Sequence, residues 1–121
     1  MDMKTSTRQA GDVTIVDISG RIALGEESAA LRELVADLLS EGHVRILLNL
    51  AGVDYIDSSG LGALVAASAS TRKAGGQMKL VNLTHRIDDL MEVTRLYTVF
   101  DISSDEAAAV KSFDRTTAAG A

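Results

Sequence analysis

Four consecutive residues, Asp57-Ser58-Ser59-Gly60, carry most of the chemistry this sequence offers. A carboxylate stands beside two hydroxyls, and glycines follow at 60 and 62. They sit between an apolar run and an alanine-rich stretch, where a helix should begin. Asp57 or Ser58 can cap such a helix by accepting a hydrogen bond from a first-turn N–H. Capping does not account for Gly60 and Gly62. Each is about 1 kcal/mol less favourable than alanine in a helix interior, and alanine fills much of the remaining segment. Glycine leaves the backbone bare, so a neighbouring strand or another molecule can come close. A serine at this point has free helix N–H groups beside it and the positive end of the helix dipole behind it. That setting favours a phosphate, bound or covalently attached.

The other candidate chemistries fall away on spacing. The nucleophile elbow Gly-x-Ser-x-Gly is absent around Ser58 and Ser59. Gly75-Gly76-Gln77-Met78-Lys79 has neither the spacing nor the hydroxyl of a phosphate-binding P-loop and reads as a helix stop and turn. His43 and His85 are isolated, so surface or cap positions suit them better than metal ligation or base catalysis. No cysteine is present, which removes disulfides, thiolate metal sites and cysteine nucleophiles. No metal or cofactor, and no enzymatic activity, is expected.

The elements that must position the Asp57–Gly60 segment follow from hydrophobic period. Residues 3–9 and Val13–Ser19 read as an opening hairpin around a turn at Ala10-Gly11-Asp12. Residues 20–27 form a connection that continues the strand at first. From about Ser28, Leu31, Leu34, Val35, Leu38 and Leu39 fall on one helical face, which stops at Gly42. Val44–Leu50 is a nearly continuous apolar run suited to a strand buried on both faces. Residues 51–57 then read as a loop. A helix over 58–74 places Leu61, Leu64, Val65 and Ser68 on one face. Met78–Leu83 is a further strand. Thr84 is expected to cap a short helix carrying Ile87, Leu90 and Met91. Val99–Ile102 is a last strand, and Ser104 with Asp105 starts a final helix ending near Phe113. Leu96, Tyr97, Val99 and Phe100 are expected mostly in the core, with any exposed remainder a candidate homodimer patch.

The order β-β-α-β-α-β-α-β-α predicts a single α/β domain over 1–114 with a mainly parallel sheet and about four helices. Residues 115–121 read as a frayed tail. Charge narrows the partners. Twelve basic and 17 acidic residues give a net charge of −5, with only four aromatic residues. Such a chain is ill suited to nucleic acid and is repelled by anionic lipid. No apolar run approaches the ~18 residues of a membrane span, and MDMKTSTRQ lacks the apolar stretch of a signal peptide. A cytoplasmic protein binding another protein or a small ligand is expected.

IDSSGLGALV, after an apolar strand and a short connection, resembles the phosphorylation segment of STAS domains. The likeness extends to VTIVDISGRI, LLNLAGVDYIDSSGLG, GGQMKLVNL and LYTVFDI, and so to nearly the whole chain. More narrowly, the chain resembles single-domain anti-sigma factor antagonists. The resemblance implies a sheet of four to five strands packed against helices. It also implies that Ser58, the first serine after the aspartate, is phosphorylated by an anti-sigma factor that is itself an ATP-dependent serine kinase. The unphosphorylated antagonist would bind that kinase and free the sigma factor. A metal-dependent serine phosphatase would reverse the modification. Asp54, Asp57, Ser58, Ser59, Gly60 and Gly62 would form the partner-binding segment, with Asp57 orienting the serine and Ser59 a bystander or substitute cap. One departure stands out: Ala23 lies where many members carry an acidic residue in a Gly-x-Leu-Asp-like segment, and Glu26 and Glu27 are the nearest replacements. Two other uses of the same segment are open from sequence. The chain could be an unphosphorylated STAS subunit docked to a transporter or signalling scaffold, or a module holding a small anion or nucleotide at the helix start.

Overall fold

The computed structural model describes residues 3–113. Residues 115–121, read above as a tail, lie outside them. Strands β1 (Lys4–Ala10) and β2 (Val13–Ile22) form the opening hairpin. There follow α1 (Glu26–Ser40), β3 (Arg45–Ile56), α2 (Ser58–Lys73), β4 (Gln77–Val81), α3 (His85–Thr94), a 3-10 turn at Leu96–Thr98, β5 (Asp101–Ser103) and α4 (Glu106–Ser112). The five strands lie in chain order in one sheet. β2, β3, β4 and β5 run parallel, and β1 pairs antiparallel with β2. This is the α/β architecture expected.

Strand alternation divides the core between the two faces of the sheet. Val16, Ile18, Ile46, Leu48, Leu50, Met78 and Leu80 face one way, against Leu31, Val35 and Leu38 of α1, Ala63, Leu64 and Ala67 of α2, and Ile87 and Met91 of α3. Val13, Ile15, Leu47 and Val81 face the other way and meet Ala109 of α4 with Phe113. β3 is therefore apolar on both sides over Ile46–Leu48, which is why VRILLNL reads as a nearly continuous run. Beyond α4 the second face is polar: Arg8 bonds both Asp17 and Glu106, and Asn49 donates to Asp17 at 2.8 Å.

Four expectations need correction. Residues 51–56 belong to β3 and are not a loop. β3 pairs with β2 as far as Ile22 and Ile56, with register shifts after Asp17 and after Gly20. At each shift β3 carries one more residue than its partner, so its buried residues change from Leu50 to Val53 and Ile56 and the alternation is lost to sequence inspection. Second, α2 buries a face of small residues (Gly60, Ala63, Ala67, Ser68 and Thr71) together with Leu64, while Val65 is 36% exposed. Small side chains let this helix lie close to the sheet. Third, Thr84 occupies the cap position of α3 without bonding a first-turn N–H; its hydroxyl donates to the Val53 carbonyl at 3.0 Å. Fourth, Tyr97 and Val99 are largely exposed, and Phe100 alone of that group is fully buried.

Candidate functional site

α2 starts where β3 ends, at the edge of the sheet to which the parallel strands deliver their carboxyl ends, the usual place for function in such folds. Asp57 makes this junction. Its Oδ1 accepts the Gly60 N–H at 2.8 Å, and its Oδ2 accepts the Leu24 N–H at 3.0 Å. The first bond caps α2. The second ties that cap to the link between β2 and α1. The backbone N–H of Asp57 also donates to the Ile22 carbonyl, at 3.4 Å. These donors hold the carboxyl below the usual carboxylate range: Gly60 contributes most, then Leu24, with the Ser59 N–H and the Arg21 charge adding less. Asp57 is thus a fixed anion whose oxygens are already engaged.

The two serines, equivalent on paper, have different surroundings. Ser59 is half-buried, and its Oγ lies 3.0 Å from Ser28 Oγ. Ser28 gives its single hydroxyl proton to the Ala23 carbonyl at 2.6 Å, so Ser59 must be the donor in the pair. Ser59 therefore locks α2 to α1. Ser58 is exposed, and its hydroxyl has no partner among the described residues. It stands on the first residue of α2, with the dipole behind it.

The glycines also separate. Gly60 is buried, and a Cβ there would overlap the Ile22 carbonyl oxygen while lying 2.8 Å from its carbon and 2.9 Å from Ile56 Cγ2. The close approach expected at this glycine is that of β2, so Gly60 offers no surface to another molecule. Gly62 is exposed, with only Arg32 Nη2 near, at 3.8 Å from a built Cβ. Packing gives no reason for a glycine at 62. Ala23, at the position expected to be acidic, is buried, and its carbonyl takes both the N–H and the hydroxyl of Ser28. Glu26 and Glu27 lie in the first turn of α1.

Asp54 is exposed and lines an open recess of about 420 Å³ with Arg21, Tyr55, Thr84 and Arg86. Sequence inspection singled out neither arginine. Their 65-residue separation hides them, and only the Arg21–Tyr55 pairing of β2 with β3 and the turn into α3 bring them together. Among the described residues no group of three or more histidine, aspartate or glutamate side chains could hold a metal ion, and no helix is long and apolar enough to cross a membrane.

A five-stranded sheet with this order, and a serine displayed at the start of the helix after the third strand, define an open-sheet α/β domain. The STAS domain family profile matches residues 4–109, and the chain belongs to that family. Within it, the chain is 32% identical over 111 residues to the anti-sigma-B factor antagonist of Bacillus subtilis, covering 92% of this chain and all of that protein. The crystal structure of the Thermotoga maritima protein TM1081 superposes with a TM-score of 0.82 at 25% identity, over 88% of this chain and 92% of that one. An anti-sigma factor antagonist from Mycobacterium paratuberculosis shares the fold at 20% identity, with a TM-score of 0.77 over 92% and 93% of the two chains.

Proposed function

We propose that the chain is an anti-sigma factor antagonist switched by phosphorylation at Ser58. The unphosphorylated form binds an anti-sigma factor of the serine-kinase type and so releases the sigma factor; the modified form does not bind. The observation that carries this is the exposed, unpartnered Ser58 hydroxyl between two neighbours that are both engaged internally. Asp57 and Ser59 hold the turn rigid, and Ser58 is left free to be modified. The likeness to the Bacillus subtilis antagonist over nearly the whole chain supports the same reading.

The chemistry follows from the geometry. The γ-phosphoryl group of ATP passes to Ser58 Oγ, ADP leaves, and the hydroxyl proton goes to a base. Asp57 is poorly placed to be that base, because both its oxygens already accept backbone N–H groups and its pKa is depressed. The kinase must supply it. Asp57 acts as a positioning residue.

The product carries about −1.5 to −2 charges at Ser58. The start of α2 tolerates them, so the fold need not change. A partner surface shaped to a neutral hydroxyl would have to bury that charge beside Asp57. An unpaired, desolvated charge costs several kcal/mol, enough to end a moderate affinity. A metal-dependent serine phosphatase would restore the binding form.

The test has two parts. Phosphopeptide mass spectrometry after incubation with an anti-sigma kinase and ATP should find phosphate on Ser58 and none in Ser58→Ala. Binding to the same kinase should survive in Ser58→Ala and be lost in Ser58→Asp. Phosphate confined to Ser59, or Ser58→Asp binding at wild-type affinity, would overturn the proposal.

A further inference from the structure

The recess beside the Ser58 turn has a charge opposite in sign to the rest of the molecule. Arg21 and Arg86 form its walls, with Tyr55, Thr84 and the single acid Asp54. The chain as a whole carries −5. Three other cations are spent internally: Arg8 on Asp17 and Glu106, Arg45 on Asp12, and Lys79 on Asp101. Arg21 and Arg86 form no ion pair with any described residue, although Asp54 shares their recess. Arg21 is nevertheless held in place. Its guanidinium lies 5.0 Å above the Tyr55 ring centre, on the neighbouring strand at the paired position. It also lies near enough to Asp57 to help depress that carboxyl. A partner seated over Ser58 therefore covers ground next to this recess.

We infer that the Arg21–Arg86 recess is a second contact point for the anti-sigma kinase and takes a carboxylate side chain from it. This rests on the function proposed above and adds to it the residues that select the partner. Two guanidinium groups from different elements line one recess, and a guanidinium fork matches a carboxylate. The Tyr55 ring restricts Arg21 before binding, which lowers the ordering cost. The contact would be independent of the Ser58 hydroxyl. It would steer encounter through charge, while the serine decides whether the complex holds.

The experiment measures affinity for the kinase that binds the wild-type chain, using Arg86→Glu and Arg21→Gln. Both residues are exposed, and melting curves confirm that each variant is folded. Each is expected to weaken binding by roughly tenfold or more and to flatten its dependence on salt. Wild-type affinity in both variants, while Ser58→Asp still abolishes binding, would overturn the inference and leave the proposed function standing. If no anti-sigma kinase binds the wild-type chain, the proposed function fails. The recess is then judged by NMR titration with a hexaglutamate peptide against a hexalysine control. Shifts confined to the Arg21 and Arg86 side-chain N–H signals, with the acidic peptide only, support an anionic occupant; no shift overturns it.

Discussion

Alanine in place of Gly60 and alanine in place of Gly62 should change stability in opposite directions. The two glycines are two residues apart in one helix, so propensity alone predicts a gain of about 1 kcal/mol from each exchange. At Gly60 the new methyl would overlap the Ile22 carbonyl oxygen and lie 2.8 Å from its carbon. An ordinary contact of about 3.4 Å requires the start of α2 to retreat by at least 0.6 Å from β2. The obstacle is strand backbone, which cannot rotate aside. The same retreat pulls on the 3.0 Å bond from the Leu24 N–H to Asp57 and the 3.4 Å bond from the Asp57 N–H to Ile22. Lengthened by 0.6 Å, neither remains a useful hydrogen bond. Overpacking costs about 1–3 kcal/mol, and a rigid obstacle belongs at the upper end. After the propensity gain, Gly60→Ala should lose about 2 kcal/mol or more. At Gly62 the methyl meets only Arg32 Nη2 at 3.8 Å, an ordinary contact, so the full gain of about 1 kcal/mol should appear. Urea unfolding followed by circular dichroism measures both, with unchanged slopes showing that midpoint shifts report stability. A Gly60→Ala protein within about 0.5 kcal/mol of wild type, or a destabilised Gly62→Ala protein, would refute this account of the two glycines.

Further outcomes are expected. Gly62→Ala, though more stable, should bind the anti-sigma kinase more weakly, because the bare backbone next to Ser58 gains a methyl; titration calorimetry of both proteins decides this. Ser58→Ala should leave stability unchanged within about 0.5 kcal/mol, since the hydroxyl has no partner, whereas Ser59→Ala should lose about 1 kcal/mol with its bond to Ser28; matched urea melts test the contrast. Asp57 has a lowered pKa in the folded chain, so its contribution is present above the ordinary carboxylate pKa and disappears as pH falls through the folded value. Melting temperatures of Asp57→Asn should therefore lie apart from those of wild type at about pH 6 and converge on them as pH falls through and below the ordinary carboxylate range, about 4. Arg8 holds Asp17 and Glu106 below their usual range, chiefly through hydrogen bonds. Arg8 is half exposed, so screening limits Arg8→Ala to a loss of about 1 kcal/mol at pH 7; that loss should fade as pH falls through the depressed carboxyl pKa values, and unfolding curves from pH 2 to 7 would show it.

Much of this protein was legible in local pattern. The 3.6-residue spacing of Leu31, Val35 and Leu38 located α1, the nearly continuous apolar run of 44–50 located the central strand, and Asp57 with Ser58 announced the cap of α2 without deciding between them. Each is a property of neighbours within a turn or two, where chain geometry alone relates one side chain to the next. The tertiary structure decided what depends on distant residues meeting. β3 runs on to Ile56 because β2 is there to pair with it, through two irregularities that break the alternation. Ser59 turns inward because Ser28, 31 residues away, accepts its proton, and that alone leaves Ser58 as the free hydroxyl. Gly60 is required by the Ile22 carbonyl, while Gly62, in the same helix, is not. Arg21 and Arg86 share a recess only because β2 ends and α3 begins at the same edge of the sheet. Local sequence sets propensity and period; packing between elements determines which of two like residues is buried and which faces outward.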